Sequence, residues 1–229
     1  MKKFISNADT SVRMFKSDLL EALSKVHFLV PVVIYLPVIL ICFYITWQDG
    51  ISFEEWFFYS VCGLITWTIV EYLMHRFVFH FVPKGQLGER IHFIIHGVHH
   101  DYPNDAKRLV MPPSVSIPLA IIFFSLFHWL IPANGLWPLY AFFLMGYLVY
   151  DLGHYAMHHY NFKNPVFKAI KRNHMLHHYQ DAGKGYGVSS ALWDLVLATD
   201  FDRKKKAETD LENDKRSSHA QENQLNIHK

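Results

Sequence analysis

Residues 136–160 read LWPLYAFFLMGYLVYDLGHYAMHHY, an apolar run that passes directly into a cluster of three histidines. The apolar part is long enough to cross the hydrocarbon core of a bilayer as a helix, which takes about 20 residues. A neutral imidazole is a nitrogen ligand that suits iron, zinc and copper. The stretch therefore predicts a membrane-spanning helix with metal ligands at one end.

The same pairing of apolar runs with histidines recurs along the chain. Twelve of the sixteen histidines lie between His75 and His178 in four clusters, HRFVFH, HFIIHGVHH, HYAMHH and HMLHH. One metal ion cannot use so many ligands, whereas two ions can. Two adjacent metals also permit chemistry, such as dioxygen activation, that a closed structural zinc site cannot perform. The clusters therefore predict a membrane-embedded metalloenzyme.

The composition argues against a soluble domain. Of the 229 residues, 51% are hydrophobic, 16% are aromatic and only 18% are charged, which is a low charged fraction for a soluble protein. The apolar residues also occur in long runs, so we expect lipid to cover them. The net charge of +2 excludes no class of protein by itself.

Four apolar runs are long enough to span a bilayer, and they divide the chain. We predict transmembrane helices at about 26–47, 56–74, 114–131 and 136–155. The connecting stretches, about 75–113 and 156–200, are predicted to form a helical cap that completes a single domain over 26–200. The predicted fold is thus an all-α membrane protein with four transmembrane helices and a cap that holds a histidine-rich dinuclear metal site.

The distribution of basic residues orients these helices. The loop Gln48 to Glu55 has three acidic residues and no Lys or Arg, so we expect it outside. The turn after the third helix has no charged residue. Basic residues flank the opposite helix ends: Lys2, Lys3, Arg13, Lys16 and Lys25 precede the first helix, Arg76, Lys84, Arg90, Lys107 and Arg108 follow the second, and Lys163, Lys168, Lys171, Arg172 and Lys184 follow the fourth. Because basic loops stay in the cytoplasm, both termini, the cap and the metal site are predicted to be cytoplasmic.

The two ends of the chain differ from the predicted domain. Residues 1–25 place Val12, Phe15, Leu19 and Leu23 at helical spacing, which predicts an interfacial segment lying on the membrane. A solvated lead-in is the alternative for this short segment. Residues 201–229 are polar and charge-rich without periodicity, which predicts a disordered charged tail.

Spacing within the clusters indicates which histidines share a helix face. His154 and His158 are four apart and therefore point from one face. His75 and His80 are five apart, too far round an ideal helix to share a face. We therefore expect the second helix to loosen or tilt near Arg76 to Phe79 if both bind metal.

A repeated triad is the most informative spacing in the chain. The pattern His96-x-x-His99-His100 recurs as His174-x-x-His177-His178. Positions i, i+3 and i+4 form one patch on a helix, so each triad can bridge two ions. The alternative is an interface of stacked imidazoles without metal.

Two acidic residues precede histidines at helical spacing. Asp151 lies three positions before His154, and Glu71 lies four positions before His75. Each carboxylate is placed to accept the free ring N–H of a metal-bound histidine and so fix its tautomer. A helix-end charge that faces water or an arginine is the alternative for both.

Five segments together carry a family resemblance: EYLMHRFVFH, HFIIHGVHH, RLVMPP, GYLVYDLGHYAMHH and HMLHHY…GYGVSSALWD. They resemble the fatty acid 2-hydroxylase branch of the fatty acid hydroxylase superfamily, which comprises sterol desaturase-like integral membrane oxygenases with two metals. The match extends from about Glu71 to Asp194, in the family's order and spacing. It implies four transmembrane helices under a cytoplasmic helical cap, with a dinuclear metal centre where cap and membrane meet.

The resemblance also implies the roles of individual residues. The family's metal ligands fall on His75, His80, His96, His99, His100, His154, His158, His174, His177 and His178. That leaves His92 and His159, with Glu71, to lie beside the ligands or line the substrate cavity. Tyr150 and Asp151 match a Tyr-Asp pair that the family places beside the cavity, and they are the candidate catalytic residues. For Tyr150, an aromatic anchor at the membrane interface is the alternative.

The activity implied by the resemblance is a monooxygenase that hydroxylates a lipid acyl chain, at C2 of a fatty acid or of a sphingolipid N-acyl chain. Its expected cofactors are two iron ions, with dioxygen as the co-substrate. Zinc binds imidazole readily and is expected in some purified samples, but it has no redox chemistry. The substrate is a membrane lipid, and Trp67, Phe77 and Phe81 are candidates either to line its path or for ordinary helix packing.

We expect the electrons to come from a separate protein. Nothing before Val26 is long enough for the haem-binding cytochrome domain that many eukaryotic members carry, so a ferredoxin or a cytochrome with its reductase is the expected donor. No nucleic-acid partner is expected, and the Gly183–Gly187 stretch lacks the context of a phosphate loop and is interpreted as a flexible connection. Two alternatives remain: another oxygenase of the superfamily, such as a sterol or carotenoid hydroxylase or desaturase, or a non-catalytic metal-binding membrane protein.

Overall fold

The structure is a computed structural model that describes residues 5–9 and 11–201. Within these ranges the chain is helical and contains no strand. The helices are α1 (Asp18–Leu23), α2 (Val30–Gln48), α3 (Phe53–Met74), α4 (Gln86–His92), α5 (Val98–Asp101), α6 (Pro113–Leu130), α7 (Ala133–His159), α8 (Pro165–Tyr179) and α9 (Leu192–Val196), with the π-helical turns π1 (His75–Phe79) and π2 (Phe93–Gly97).

Four helices are long and apolar enough to cross a membrane. They are α2, α3 with its continuation π1, α6 and α7. Most side chains of α2, α3 and α6 are not buried inside the protein, as expected of helices that face lipid. The predicted all-α fold with four transmembrane helices is confirmed, and the protein is an integral membrane protein.

Helix α7 is the centre of the membrane bundle, and α2 and α3 pack closely against it. Two glycines set the α3–α7 distance. A Cβ atom at Gly63 would overlap the carbonyl oxygen of Leu139, and one at Gly146 would lie 2.5 Å from the indole of Trp67. Close helix approach at small residues is the usual way in which membrane helices associate. Helix α6, in contrast, packs mainly on α7 and has a largely outward-facing surface.

Local sequence signals explain where several helices begin. Ser52 accepts from the backbone N–H of Glu55, whose side chain accepts from the N–H of Ser52, so a capping box starts α3. Asn164 caps α8, and Pro165 occupies its first position. The polar loops therefore stop and restart the helices at the edges of the bundle.

The cap is built from α4, π2, α5, α8 and the segment that follows α8, and the N-terminal segment packs against it. Arg108 is buried and pairs with Glu21 of α1 at 2.7 Å. The backbone N–H of Val26 bonds to the carbonyl of Lys107 at 2.8 Å. The N-terminal segment is therefore fixed to the cap by polar contacts. Of the predicted tail, only Phe201 is described, and it is buried; residues 202–229 lie outside the described residues.

Candidate metal centre

Ten histidines converge at the junction of α3, α7 and the cap, and they form two groups of five. Group A comprises His75, His80, His96, His100 and His177, and group B comprises His99, His154, His158, His174 and His178. Within each group the candidate ligand atoms all lie within 4.8 Å of one another. The two groups touch, since the rings of His100 and His178 stack with their centroids 4.3 Å apart. Each group can hold one metal ion.

The two repeated triads are shared between the groups in opposite ways. His96 and His100, one helical turn apart, belong to group A, while His99 between them belongs to group B. In the second triad, on α8, His174 and His178 belong to group B, while His177 belongs to group A. Each triad therefore contributes ligands to both candidate metal sites, and the two triads hold the two sites next to each other.

The π-helical turn π1 explains how His75 and His80 reach the same group. The backbone N–H of His80 bonds to the carbonyl of His75 at 3.2 Å, which is the i→i+5 bond of a π-helix. The wider turn brings residues five apart towards one face, and their Nε2 atoms are 3.2 Å apart. The expected loosening of the helix between Arg76 and Phe79 is thus present.

Hydrogen bonds to the backbone fix the orientation of two rings in group A. Nδ1 of His75 donates to the carbonyl oxygen of Tyr186 at 2.6 Å, and Nδ1 of His177 donates to that of Lys184 at 2.7 Å. Because a neutral imidazole carries one ring proton, Nε2 of each ring has a free lone pair. Both Nε2 atoms approach Nε2 of His80, at 3.2 Å and 3.0 Å, and one N–H of His80 can satisfy only one of them. A cation between these nitrogens removes the conflict, so the residues fit a metal.

Group B contains nitrogens that also require a partner. Nε2 of His99 and Nε2 of His154 are buried and have no hydrogen-bond partner among the described residues. Buried polar atoms without partners are rare in proteins because their desolvation is costly. Both residues belong to group B, so a metal ion at the centre of this group would give their unpaired nitrogens a partner.

The environment keeps the cap histidines in the neutral form that binds metals. Burial lowers the pKa of His80 to about 2, assisted by the nearby rings of His177, His100 and His92. Burial lowers the pKa of His177 to about 4, although its bond to the Lys184 carbonyl opposes the shift. Burial also holds the pKa of His174 well below its ordinary value. Protons therefore compete poorly for these ligands.

A cavity of about 290 Å³ reaches both groups. His96 of group A and His99 and His154 of group B form part of its wall, together with Tyr150 and Asp151. Most of the remaining lining is apolar and comes from the N-terminal segment, π2 and the start of α6. The cavity therefore offers an apolar ligand access to both candidate metal sites.

The two acidic residues do not bond to the histidine rings for which they were considered. Among the described residues, the partners of Asp151 are the backbone N–H of Met111, at 3.1 Å, and the hydroxyl of Tyr147, also at 3.1 Å. Asp151 thus fixes a backbone segment of the cavity wall, and the expected bond to His154 is absent from the described part of the chain. Asp151 is buried, so the alternative of a helix-end charge facing water is also wrong.

Glu71 helps to position His75 indirectly, by fixing the backbone of the loop that bonds to the His75 ring. Its carboxylate accepts from the backbone N–H groups of Val188 and Ser189, at 2.8 and 2.7 Å, and from the Ser189 hydroxyl at 2.6 Å. These residues lie two and three positions after Tyr186, whose carbonyl oxygen orients His75. Direct pairing of Glu71 with the His75 ring does not occur because Tyr186 already occupies Nδ1.

The segment around Gly183–Gly187, interpreted from sequence as a flexible connection, is an ordered part of the site. Asp194 is fully buried and accepts from the backbone N–H groups of Tyr186 and Gly187, both at 2.8 Å. Gly185 has a φ of +70°, a conformation that favours glycine. The glycines therefore serve a tight turn, and Asp194 is a site residue that the sequence reasoning missed. The sequence feature that could have identified Asp194 is the acidic residue at the end of the GYGVSSALWD segment.

The remaining candidates lie around the two groups. His92 and His159 belong to neither group; His92 packs near Gly97 of π2, and the ring of His159 stacks on Tyr155 with centroids 4.5 Å apart. Tyr150 is buried and its ring lies 5.9 Å from that of His154. Phe77 and Phe81, considered for the substrate path, are exposed and do not line the cavity beside the two groups.

Comparison with known proteins agrees with this geometry. The sequence model of a family described as "Fatty acid hydroxylase" matches residues 60–199. The chain is 36% identical to the dihydroceramide fatty acyl 2-hydroxylase FAH2 of Arabidopsis thaliana, over 82% of this chain and 79% of that protein. It is 35% identical to the fatty acid 2-hydroxylase of Rattus norvegicus, over 82% of this chain and 56% of that protein.

A solved structure has the same fold. It is titled "Full length scs7p (only hydroxylase domain visible)" and superposes with a TM-score of 0.76 at 34% identity, covering 81% of this chain and 70% of the other. Both the histidine-rich segments and the cap lie within residues 60–199, which the family model matches. The chain belongs to the fatty acid hydroxylase family.

Proposed function

We propose that this protein is an integral membrane monooxygenase that hydroxylates a lipid acyl chain at C2, in a fatty acid or a sphingolipid N-acyl chain. The observation that carries the proposal is the pair of five-histidine groups on one largely apolar cavity. The names of the relatives support it, since they describe hydroxylases of fatty acyl chains. Acid–base residues alone do not attack an unactivated C–H bond, so the proposal needs redox-active metal.

We assign the ten histidines of groups A and B as ligands of two iron ions. Bound there, the two irons would supply the redox chemistry that uses dioxygen, two electrons from the donor and two protons to insert one oxygen atom into a C–H bond and release the other as water. The protein's share is to keep the imidazoles neutral, fix their tautomers through backbone carbonyls and exclude water. Zinc fits the same nitrogens but cannot support the reaction.

The residues of the cavity wall receive separate roles. Tyr150, buried beside His154, is proposed to contact the acyl chain near the reacting carbon. Asp151 is proposed to position Met111, since it bonds to the backbone of that wall residue. Glu71 positions His75 through the Val188–Ser189 backbone. His92 and His159 are proposed to pack around the ligands without binding metal.

We infer that the metal centre and both termini face the cytoplasm. Basic residues such as Lys84, Arg90 and Lys168 lie on the side of the histidine groups, whereas the first turn of α3, at the other end of that helix, carries Glu54 and Glu55. That asymmetry is typical of cytoplasmic and external sides respectively. The electron donor is proposed to be a separate ferredoxin or a cytochrome with its reductase, which meets the basic cap with an acidic surface.

Lipid analysis tests the proposal. Cells that lack 2-hydroxylated lipids are transformed with the wild type, with His177→Ala or with His128→Ala, which changes an exposed histidine of α6 outside both groups. The wild type and His128→Ala are expected to produce 2-hydroxy acyl chains and His177→Ala to produce none. Changes confined to sterols or carotenoids would identify another oxygenase, and iron-loaded protein that consumes no oxygen with lipid and donor present would indicate a non-catalytic protein.

A further inference from the structure

A second, narrower cavity lies inside the membrane bundle. It runs between α3, α6 and α7 and has a volume of about 40 Å³. Trp67 and Val70 of α3, Leu119 and Phe123 of α6, and Phe143 of α7 are among its lining residues. We call this cavity the membrane groove.

The membrane groove adjoins the cavity of the metal centre. Phe79, Met111 and Tyr150 line both spaces, so these three side chains form the boundary between them. On α7, the other groove residues lie further from His154 than Tyr150 does. Phe143, for instance, is seven residues before Tyr150, which corresponds to roughly 10 Å along the helix axis. The groove therefore extends from the metal centre towards the middle of the bilayer.

Aromatic rings close the far end of the groove. The ring of Phe143 lies 5.0 Å from that of Phe123 and 5.3 Å from that of Trp67, measured between centroids. Phe123 is the member contributed by α6, the helix that packs least closely into the bundle. Its side chain is only half-buried. Truncation of this ring would therefore lengthen the groove without emptying the core of the bundle.

We propose that the membrane groove holds the distal part of the acyl chain and that Phe123 limits the length of chain that the enzyme accepts. The inference rests on the proposed function, because it places the reacting carbon at the metal centre. The occupant follows from the geometry: the groove is narrow, its lining is mostly apolar, and one end adjoins the cavity that reaches the histidine groups. A polymethylene chain suits such a groove, whereas a polar headgroup would lose its hydration there.

The test compares product chain lengths for three variants. Phe123→Ala is expected to raise the ratio of longer to shorter 2-hydroxylated chains by about tenfold, the discrimination that a hydrophobic pocket exerts per methylene. Leu119→Trp, which narrows the groove midway, is expected to lower that ratio. Phe124→Ala is the matched control, because Phe124 packs on Trp137 and Tyr140 outside the groove. An unchanged ratio in active Phe123→Ala and Leu119→Trp would overturn the inference.

A binding measurement separates this inference from the proposed function. A palmitic acid analogue with a terminal diazirine is photolysed with the purified wild type and with His177→Ala, and the labelled peptides are identified by mass spectrometry. Labelling within α6 and α7 that excess palmitic acid suppresses supports the groove even if no hydroxylated product is found. Labelling confined to α1 or α4, or not suppressed by palmitic acid, would contradict the groove even if the wild type hydroxylates lipids.

Discussion

The Nδ1 atom of His75, at the end of α3, donates a hydrogen bond of 2.6 Å to the carbonyl oxygen of Tyr186, 111 residues later in the chain. A ring of group A is thus held in place by the backbone of a loop. That loop is held in turn by two buried carboxylates, Glu71 and Asp194. The metal centre consequently depends on residues that belong to neither histidine group.

Asp194→Asn is expected to weaken metal binding. An amide replaces one carboxylate oxygen with an NH₂ group, which faces the backbone N–H of Tyr186 or Gly187 and cannot accept from it. Loss of such a supporting bond typically lowers the affinity for metal by about 10- to 100-fold. Metal content after dialysis against a graded series of chelator concentrations measures the effect. Asp200→Asn changes a nearby carboxylate that makes no hydrogen bond among the described residues, and equal metal loss in that control would refute the argument.

The division into two groups predicts how metal stoichiometry responds to single substitutions. His177→Ala removes a ligand of group A and His178→Ala removes one of group B, so each is expected to lower the content from about two ions per chain to about one. The double variant is expected to approach zero. His92→Ala, which removes a neighbouring histidine of neither group, should retain both ions. Plasma mass spectrometry of purified protein gives the counts, and a His92→Ala protein as depleted as the single variants would contradict the assignment.

The sequence allowed the four membrane helices and the convergence of histidines to be predicted, because both depend on local patterns. Apolar runs of membrane-spanning length identify a helix without knowledge of its neighbours. Spacing likewise identified the triads as patches that can bridge two ions. A loosening or tilt of the helix between His75 and His80 was expected for the same local reason, since residues five apart do not share one face of an α-helix. The structure realises it as a π-helical turn.

The partners of buried acids could not be predicted, because they depend on contacts between distant segments. The bonds of Glu71 to Val188 and Ser189 cross more than 110 residues. Spacing in the sequence suggested His75 as the partner of Glu71. Only the position of the loop in the structure shows that Glu71 bonds elsewhere. The bond between Arg108 and Glu21 likewise follows from how the N-terminal segment returns to the cap.

The ion pair of Glu21 with Arg108 predicts a dependence of stability on pH. Burial would raise the pKa of Glu21, but hydrogen bonds from Lys25 and from the backbone N–H groups of Phe15 and Met14, with the charge of Arg108, hold it at about 2. A carboxyl with a pKa below its ordinary value of 4.5 stabilises the fold above that pH. The contribution is lost as the pH falls from 4.5 towards 2.

Glu21→Gln is therefore expected to be less stable than the wild type at neutral pH, with Arg108 left buried and without its full partner. Breaking a buried ion pair in this way costs on the order of 3 kcal/mol. The difference in unfolding temperature between wild type and variant should shrink as the pH is lowered below 4.5, as measured by thermal unfolding in detergent. Glu54→Gln, at an exposed position, provides the control, and a difference that stays constant down to pH 2 would rule out this origin.

The glycines of the membrane bundle give the last prediction. The same substitution, Gly→Ala, is made at Gly63 of α3 and at Gly153 of α7. A Cβ atom at Gly63 overlaps the backbone carbonyl of Leu139, which cannot move aside like a flexible side chain, whereas a Cβ atom at Gly153 meets nothing within 4 Å. Gly63→Ala should therefore destabilise the bundle by about 2 kcal/mol, the usual cost of overpacking. The unfolding temperature of Gly153→Ala should equal or exceed that of the wild type, because alanine stabilises a helix relative to glycine. Thermal unfolding of the two purified variants compares them directly, and equal unfolding temperatures would show that α3 and α7 are not held together at Gly63.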